Sequence, residues 1–174
     1  MATRLSSRTL SRPPPSPHGT QSWLAVVRAY NLCDAVMSAR LAELGLRIGE
    51  HEVLATLATV PGITQQDLAA RCFVAKSGVS MLLTQMEGKA LVVREADASD
   101  ARVRRLFLTP AGQALAAKTL KIQADVISAM VEGASEAEMA TVANAMQRVS
   151  EKLEALRDAL PAGAAPAARS RVSR

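Results

Sequence analysis

The chain has 174 residues, of which 49% are hydrophobic but only 2% aromatic, and it carries a net charge of +5. This length and composition predict one domain with an aliphatic core, which favours helices and argues against an all-β fold. The charge is uneven, because residues 1–20 and 161–174 hold six arginines and no acid. The basic character of the whole chain therefore does not by itself indicate a nucleic-acid partner.

Both ends of the chain, 1–20 and 161–174, combine arginine and proline with Ser or Ala. Such segments bury too little apolar surface to order themselves, so we expect disordered basic tails. No apolar run reaches the roughly 18 residues of a membrane span. Cys33 and Cys72 lack companions at metal-ligand spacing, so we expect buried thiols, with redox sensing as the alternative. The sequence predicts a soluble cytoplasmic protein without metal, cofactor or membrane partner.

The first predicted helix spans 21–44, where apolar residues recur every three or four positions and Gly45 ends the run. The second spans 49–60 and stops at Pro61-Gly62, a dipeptide typical of turns.

A helix pair follows. The third helix, 64–71, opens with Thr64 as its N-cap and Asp67 three residues later. The fourth, 76–89, has an inward stripe consisting of Val79, Leu82, Leu83 and Met86.

The segment 91–108 has two β-prone runs around the polar stretch 96–101, which predicts a two-stranded hairpin with a charged tip. Charge also separates here: residues 71–105 hold seven bases and four acids, whereas residues 122–160 hold three bases and seven acids. A basic segment inside the folded part indicates a DNA partner better than the basic tails do.

Two further helices are predicted after the hairpin. The fifth, 110–131, follows the N-cap Thr109 and a proline, and the sixth, 135–160, opens with the capping box Ser135 and Glu138. The apolar seam of the sixth helix predicts a dimer interface, with packing inside its own domain as the alternative. Its residues are Met139, Val142, Met146, Val149, Leu153, Leu156 and Leu160.

This order predicts a winged helix-turn-helix domain over 21–160, mainly α with a small β-hairpin wing (α+β), flanked by N- and C-terminal dimerisation helices. The hairpin and its surroundings resemble the MarR (multiple antibiotic resistance regulator) family. The resemblance rests on Leu68-Ala69, Val79-Ser80, Gly88-Lys89-Ala90-Leu91-Val92, Arg94, Asp97, Asp100-Ala101-Arg102 and Leu108-Thr109-Pro110-Ala111-Gly112.

The resemblance implies a DNA-binding transcriptional regulator, most simply a repressor, located in the cytoplasm at the nucleoid. It also implies that Arg102 enters the minor groove and that Asp100 holds the wing through an ion pair with Arg94 or Arg102. The candidate contacts to double-stranded DNA are Thr64, Lys76, Ser77, Ser80, Met81, Thr84, Gln85, Arg94, Asp100, Arg102 and Arg104. An ordinary solvated helix face is the alternative for those on the fourth helix.

Three residues depart from the pattern of the family. Ala75 stands where a serine commonly caps the recognition helix. Met81 replaces a frequent basic residue, which removes a phosphate or guanine contact and allows an apolar one to a thymine methyl. Ala90 replaces a frequent glycine before the wing. These changes bear on the operator sequence rather than on the fold.

The resemblance further implies a homodimer on a palindromic operator, released by a small, often aromatic effector that enters a crevice between the dimer helices and the DNA-binding lobe. The expected crevice residues are Trp23, Arg28, Tyr30, Met37 and His51. For His51, packing is the alternative role. Cys33 does not lie at the position of the peroxide-sensing cysteine of the family.

Two other classes of function compete with this one. The sequence has no nucleophile elbow, phosphate-binding loop or paired carboxylates, which argues against an enzyme. A winged helix used only for protein contact or dimerisation remains the alternative to operator recognition.

Overall fold

The computed structural model describes residues 16–71, 76–100 and 102–159. The helices of these residues are α1 (Pro17–Ala42), α2 (Ile48–Thr59), α3 (Gln65–Arg71), α4 (Lys76–Gly88), α5 (Pro110–Val131) and α6 (Glu136–Asp158). The strands are β1 (Ile63–Thr64), β2 (Val92–Ala96) and β3 (Arg104–Leu108). The predicted fold, a mainly helical winged helix-turn-helix with a small wing, is confirmed.

Helix α1 begins earlier than expected from the sequence. The Ser16 side chain accepts a hydrogen bond of 3.1 Å from the Gly19 amide, and Pro17 occupies the first turn. An N-cap serine followed by proline is a strong helix start. Residues 17–20, expected in the disordered tail, therefore belong to α1. The other bounds lie within two residues of those predicted.

The sheet has three strands rather than the two of the predicted hairpin, in the antiparallel order β1-β3-β2. Ile63 pairs with Leu106, and across the wing Val93 pairs with Phe107. The two-residue β1 is too short to show an alternating pattern, so its sequence gives no strand signal. Through β1, the start of α3 is joined to the base of the wing.

The hydrophobic core lies where α2, α3, α4 and the sheet meet. It is aliphatic, as the composition predicted. Its fully buried large side chains are Leu41, Leu54, Leu57, Leu68, Leu83, Met86 and Leu106 with Val53, Val79 and Val92. Burial of these side chains leaves the opposite faces of α4 and of the wing on the surface.

A tight junction joins the wing to α5. The Thr109 hydroxyl caps α5 by accepting from the Gly112 amide at 3.0 Å, and it donates to the Ala90 carbonyl at 2.6 Å. A Cβ on Gly112 would lie 2.0 Å from the Leu91 carbonyl oxygen. Thr109 and Gly112 of the Leu-Thr-Pro-Ala-Gly segment thus allow α5 to approach the residues that follow α4 closely.

Ala90 ends α4 in the left-handed region, with φ 53. The Leu91 amide donates to Met86 O at 3.0 Å and the Ala90 amide to Glu87 O at 2.8 Å. This is the Schellman pattern, whose left-handed residue is usually glycine. The alanine carries a Cβ there at a cost in stability.

Candidate nucleic-acid interface

The outer face of α4 consists of Ser80, Met81, Thr84 and Gln85, which are all exposed. It lies opposite the buried stripe Val79, Leu82, Leu83 and Met86. Helix α4 begins at Lys76. The side chains of Lys76 and Ser77, two expected contacts, lie outside the described residues, as do Cys72 and Ala75.

Two of the polar groups on this face already have partners within the chain. The Gln85 carbonyl oxygen accepts a hydrogen bond of 2.7 Å from the Arg47 guanidinium. The Thr84 hydroxyl donates to Ser80 O at 3.0 Å and accepts from the Arg94 guanidinium at 3.3 Å.

Arg94, an expected DNA contact, packs against α4. Its Nε lies 3.3 Å from the Glu87 carboxylate, and its Nη2 also approaches Ser80 O at 3.5 Å. Only 24% of its side chain is exposed. Arg94 therefore ties β2 to α4, so that the wing and the outer face of α4 form one surface.

The wing tip is held by Asp97. Its carboxylate accepts from the Ser99 amide at 2.8 Å and from the Asp100 amide at 3.2 Å, and it pairs with the Arg105 guanidinium. Hydrogen bonds from Ser99, then from Arg105 and Asp100, hold the pKa of Asp97 well below its usual range. Arg105 in turn donates to Gly62 O at 2.9 Å. The carboxylate thus stays ionised, and the tip is anchored to the turn before β1.

The expected ion pair of Asp100 is wrong. Its carboxylate accepts from the Arg102 amide at 2.9 Å, and the wing's ion pairs are those of Asp97 with Arg105 and of Arg94 with Glu87. Asp100 therefore shapes the turn through the backbone. Asp97 was not expected as the anchor, although the Asp-Ala-Ser-Asp run is a turn signal.

Arg102 and Arg104 project from the wing. Both side chains are exposed, and neither takes part in the ion pairs found within the described ranges. Thr64 instead caps α3: its hydroxyl accepts from the Asp67 amide at 3.1 Å and donates to the Asp67 carboxylate at 2.7 Å. Two exposed guanidinium groups thus lie on a wing whose Asp97 carboxylate is already paired with Arg105.

A buried carboxylate links α2 to the end of α4. Glu50 is 1% exposed, pairs with Lys89 at 2.6 Å and accepts from the Arg47 amide at 2.9 Å. Burial raises the pKa of Glu50, but the hydrogen bonds from Lys89 and Arg47 and their charges outweigh it, and the pKa lies below its ordinary value. Glu50 and Lys89 are 39 positions apart, so no local pattern predicted the pair.

A cavity of about 950 Å³ lies between α1, α2 and α5. Of the expected crevice residues, Tyr30, Met37 and His51 line it, whereas Trp23 and Arg28 do not. Burial lowers the pKa of His51, so its ring is neutral at pH 7. Its Nδ1 is buried without a hydrogen-bond partner among the described residues. Other lining residues, which the sequence did not point to, include Cys33, Arg47, Arg71 and Gln123.

The predicted dimer seam is largely exposed. Helix α6 has no buried residue. Val142, Val149, Leu153 and Leu156 are 44–59% exposed, whereas Met139 and Met146 are half-buried; Leu160 lies outside the described residues. Helix α1 is similar, with Trp23 62% and Tyr30 67% exposed. Large apolar side chains on these helices are left uncovered within one chain.

Metal sites and membrane spans are absent from the part of the chain that the structure describes. There, no cluster of three or more His, Cys, Asp or Glu side chains could hold a metal ion. Within the same part, no helix is long and apolar enough to cross a membrane.

A sequence model of the MarR family matches residues 44–103. The chain is 28% identical over 105 residues to an uncharacterised HTH-type transcriptional regulator of Bacillus cereus, and the match spans 60% of this chain and 69% of that protein.

Solved structures share the fold. FabT of Streptococcus pneumoniae, in complex with DNA, superposes with a TM-score of 0.69 at 19% identity, over 79% of this chain and 98% of that one. BpsR of Bordetella bronchiseptica superposes with a TM-score of 0.65 at 19% identity, over 75% and 98%. The matched segment 44–103 contains α2, α3, α4 and β2. These relatives are transcriptional regulators, and over residues 44–103 the chain is similar to the MarR family.

Proposed function

We propose that this protein is a sequence-specific DNA-binding repressor that binds a palindromic operator as a homodimer and releases it when a small aromatic ligand enters the crevice. The observation that carries the DNA step is the joined surface of wing and α4, which Arg94 holds together. A helix of this size enters the major groove, and a slender tip with arginines suits the narrow, electronegative minor groove. On the wing, Arg102 and Arg104 are exposed and take no part in the ion pairs of the described residues, whereas Arg105 is paired with Asp97.

The proposed dimer rests on the uncovered apolar side chains of α1 and α6. Val142, Val149, Leu153 and Leu156 repeat along one side of α6 and are about half exposed. A second copy of the chain offers the same surface, and a two-fold axis pairs it with itself. Two recognition helices about 34 Å apart would then read half-sites about 10 bp apart, which makes the operator a palindrome.

The proposed ligand site is the cavity lined by Tyr30, Met37 and His51. The DNA binding of BpsR is regulated by 6-hydroxynicotinic acid, and we extend an aromatic ligand of this kind to the present chain. The cavity lies between α1, which would join the dimer, and α2, which packs beside α4. If the free and DNA-bound proteins differ in the spacing of these helices, a ligand that binds the free conformation more tightly would lower the affinity for DNA. An operator that overlaps a promoter would then be occupied without ligand and cleared with it.

The test is selection of bound sequences from a random DNA pool, followed by band shifts on the selected site at fixed salt. Arg102→Ala should weaken binding by about 1–3 kcal/mol. Arg148→Ala removes the same charge from exposed α6 and should change affinity little, which separates wing contact from net charge. Aromatic acids are then screened for release. Failure to select any DNA would contradict operator binding and favour a protein-interaction module.

A further inference from the structure

Met81 differs from the other large exposed apolar side chains of the described residues. Most of these lie on α1, α5 and α6, and the proposed dimer would cover those of α1 and α6. Met81 lies on α4 and is 64% exposed. Helix α4 packs against α2, α3 and β2, so the proposed dimer interface gives no reason for an apolar side chain there.

The position of Met81 on the helix is central to the outer face. At 100° per residue, its side chain points about 150° away from the mean direction of the buried stripe Val79, Leu82, Leu83 and Met86. In a winged helix-turn-helix domain this is the direction of the base edges. Met81 is thus placed where a side chain meets the floor of the major groove.

The neighbours of Met81 are less available for hydrogen bonding to bases. The Gln85 carbonyl oxygen accepts from Arg47 and the Thr84 hydroxyl contacts Arg94 and Ser80 O. Gln and Thr read bases through these same groups. Met81, which is apolar, is therefore the largest side chain on this face that can contact a base without first breaking a hydrogen bond within the chain.

The major groove offers one prominent apolar group, the 5-methyl of thymine. We propose that Met81 is a specificity-determining residue that packs on this methyl at one position of each operator half-site. The inference rests on the proposed DNA-binding function and narrows it, because the site must carry a symmetric pair of thymines under the centre of α4. Methionine suits the contact because its unbranched thioether adapts to an apolar surface.

The experiment replaces thymine with deoxyuridine, which keeps the base pair but lacks the methyl. Each symmetric thymine pair in the selected operator is replaced in turn, and Kd is measured at fixed salt. Loss of one buried methyl per half-site should weaken wild-type binding about tenfold at one pair. Met81→Ala should bind the thymine operator about as weakly as wild type binds the deoxyuridine operator, and it should show no further loss with deoxyuridine. Ser80→Ala, the matched control, should keep the full deoxyuridine effect.

Equal affinity of the wild type for thymine and deoxyuridine at every pair would overturn the proposal while leaving operator binding intact. The proposal would also be overturned if Met81→Ala lost as much affinity as the wild type when deoxyuridine replaces thymine. Met81→Leu, which keeps an apolar side chain, should retain most of the preference for the thymine operator over the deoxyuridine operator. Loss of this preference in Met81→Leu would also count against a methyl contact. If no DNA is selected by the wild type at all, the proposed function itself fails, which is a different result from either of these.

Discussion

Replacing Lys89 tests how the recognition helix is fixed to the rest of the domain. In Lys89→Ala, the Glu50 carboxylate stays 1% exposed but loses its 2.6 Å partner. It keeps the Arg47 amide and, at 3.5 Å, a guanidinium whose side chain is 69% exposed. A charged hydrogen bond contributes about 1.5–3 kcal/mol. Because the Lys89 side chain is itself 48% exposed, solvent screening weakens the pair, and we expect a loss at or below the lower end of this range, about 1–2 kcal/mol.

The assay is thermal unfolding at matched protein concentrations, since the stability of an oligomer depends on concentration. For a chain of this size the loss corresponds to about 2–8 °C in Tm. Lys121→Ala is the control, because its pair with Asp125 joins side chains that are 76% and 47% exposed and should contribute less than about 0.5 kcal/mol. Equal Tm values for the two variants would refute the assigned role of the buried carboxylate.

The effect of Lys89→Ala should also depend on pH. Because the pKa of Glu50 lies below its ordinary value of 4.5, the stabilisation is fully present above about pH 4.5 and is lost as the pH falls through the folded-state pKa. The gap in stability between wild type and variant should therefore be full at pH 7 and should narrow in acid. A gap that stays constant down to pH 3 would mean that the lysine acts by packing alone.

Three further variants test other parts of the fold. Ala90→Gly should raise the free energy of unfolding by about 0.5–1 kcal/mol in urea titrations, because φ is 53 at this position and glycine adopts it without strain; a loss would contradict the Schellman assignment. Gly112→Ala should cost about 1–3 kcal/mol or more in the same assay, since its Cβ would meet Leu91 O at 2.0 Å, and a neutral result would show that the junction is looser than described. His51→Leu should flatten the loss of wild-type stability below pH 6.5, the ordinary pKa of histidine. There the unfolded histidine binds a proton that the buried one does not, and the slope approaches about 1.4 kcal/mol per pH unit. If the pH dependence of stability were unchanged in this variant, a group other than His51 would cause the loss of stability below pH 6.5.

Local signals allowed much of the fold to be predicted. Thr109 and the Ser135–Glu138 box cap α5 and α6 in the structure through hydrogen bonds of 3.0 and 2.8 Å. Ser16 is likewise an N-cap residue followed by proline, but it lies in a stretch whose composition is typical of a disordered tail. The sequence therefore predicted too late a start for α1. Strand β1 was missed since its pairing with β3 joins residues far apart in sequence and leaves no local pattern.

The candidate site was predictable in outline only. The outer face of α4 follows from helical periodicity, but the partners of its side chains do not. Arg94 turns towards Glu87 and Thr84 rather than outward, which depends on how the wing packs on α4. The anchoring of the tip by Asp97 instead of Asp100 depends on turn geometry. Trp23 was placed in the crevice from its position on the first helix, but the cavity lies further along α1, from Tyr30 onwards.

The most direct test of the proposed dimeric repressor is the mass of the protein alone and on its selected operator, measured in solution at micromolar concentration. One chain weighs 18.4 kDa. We expect twice this mass for the free protein and two chains per palindromic operator, with Leu153→Glu shifting the free protein towards one chain and weakening operator binding with it. A free protein of 18.4 kDa, or one chain bound to a site without two-fold symmetry, would contradict the proposal.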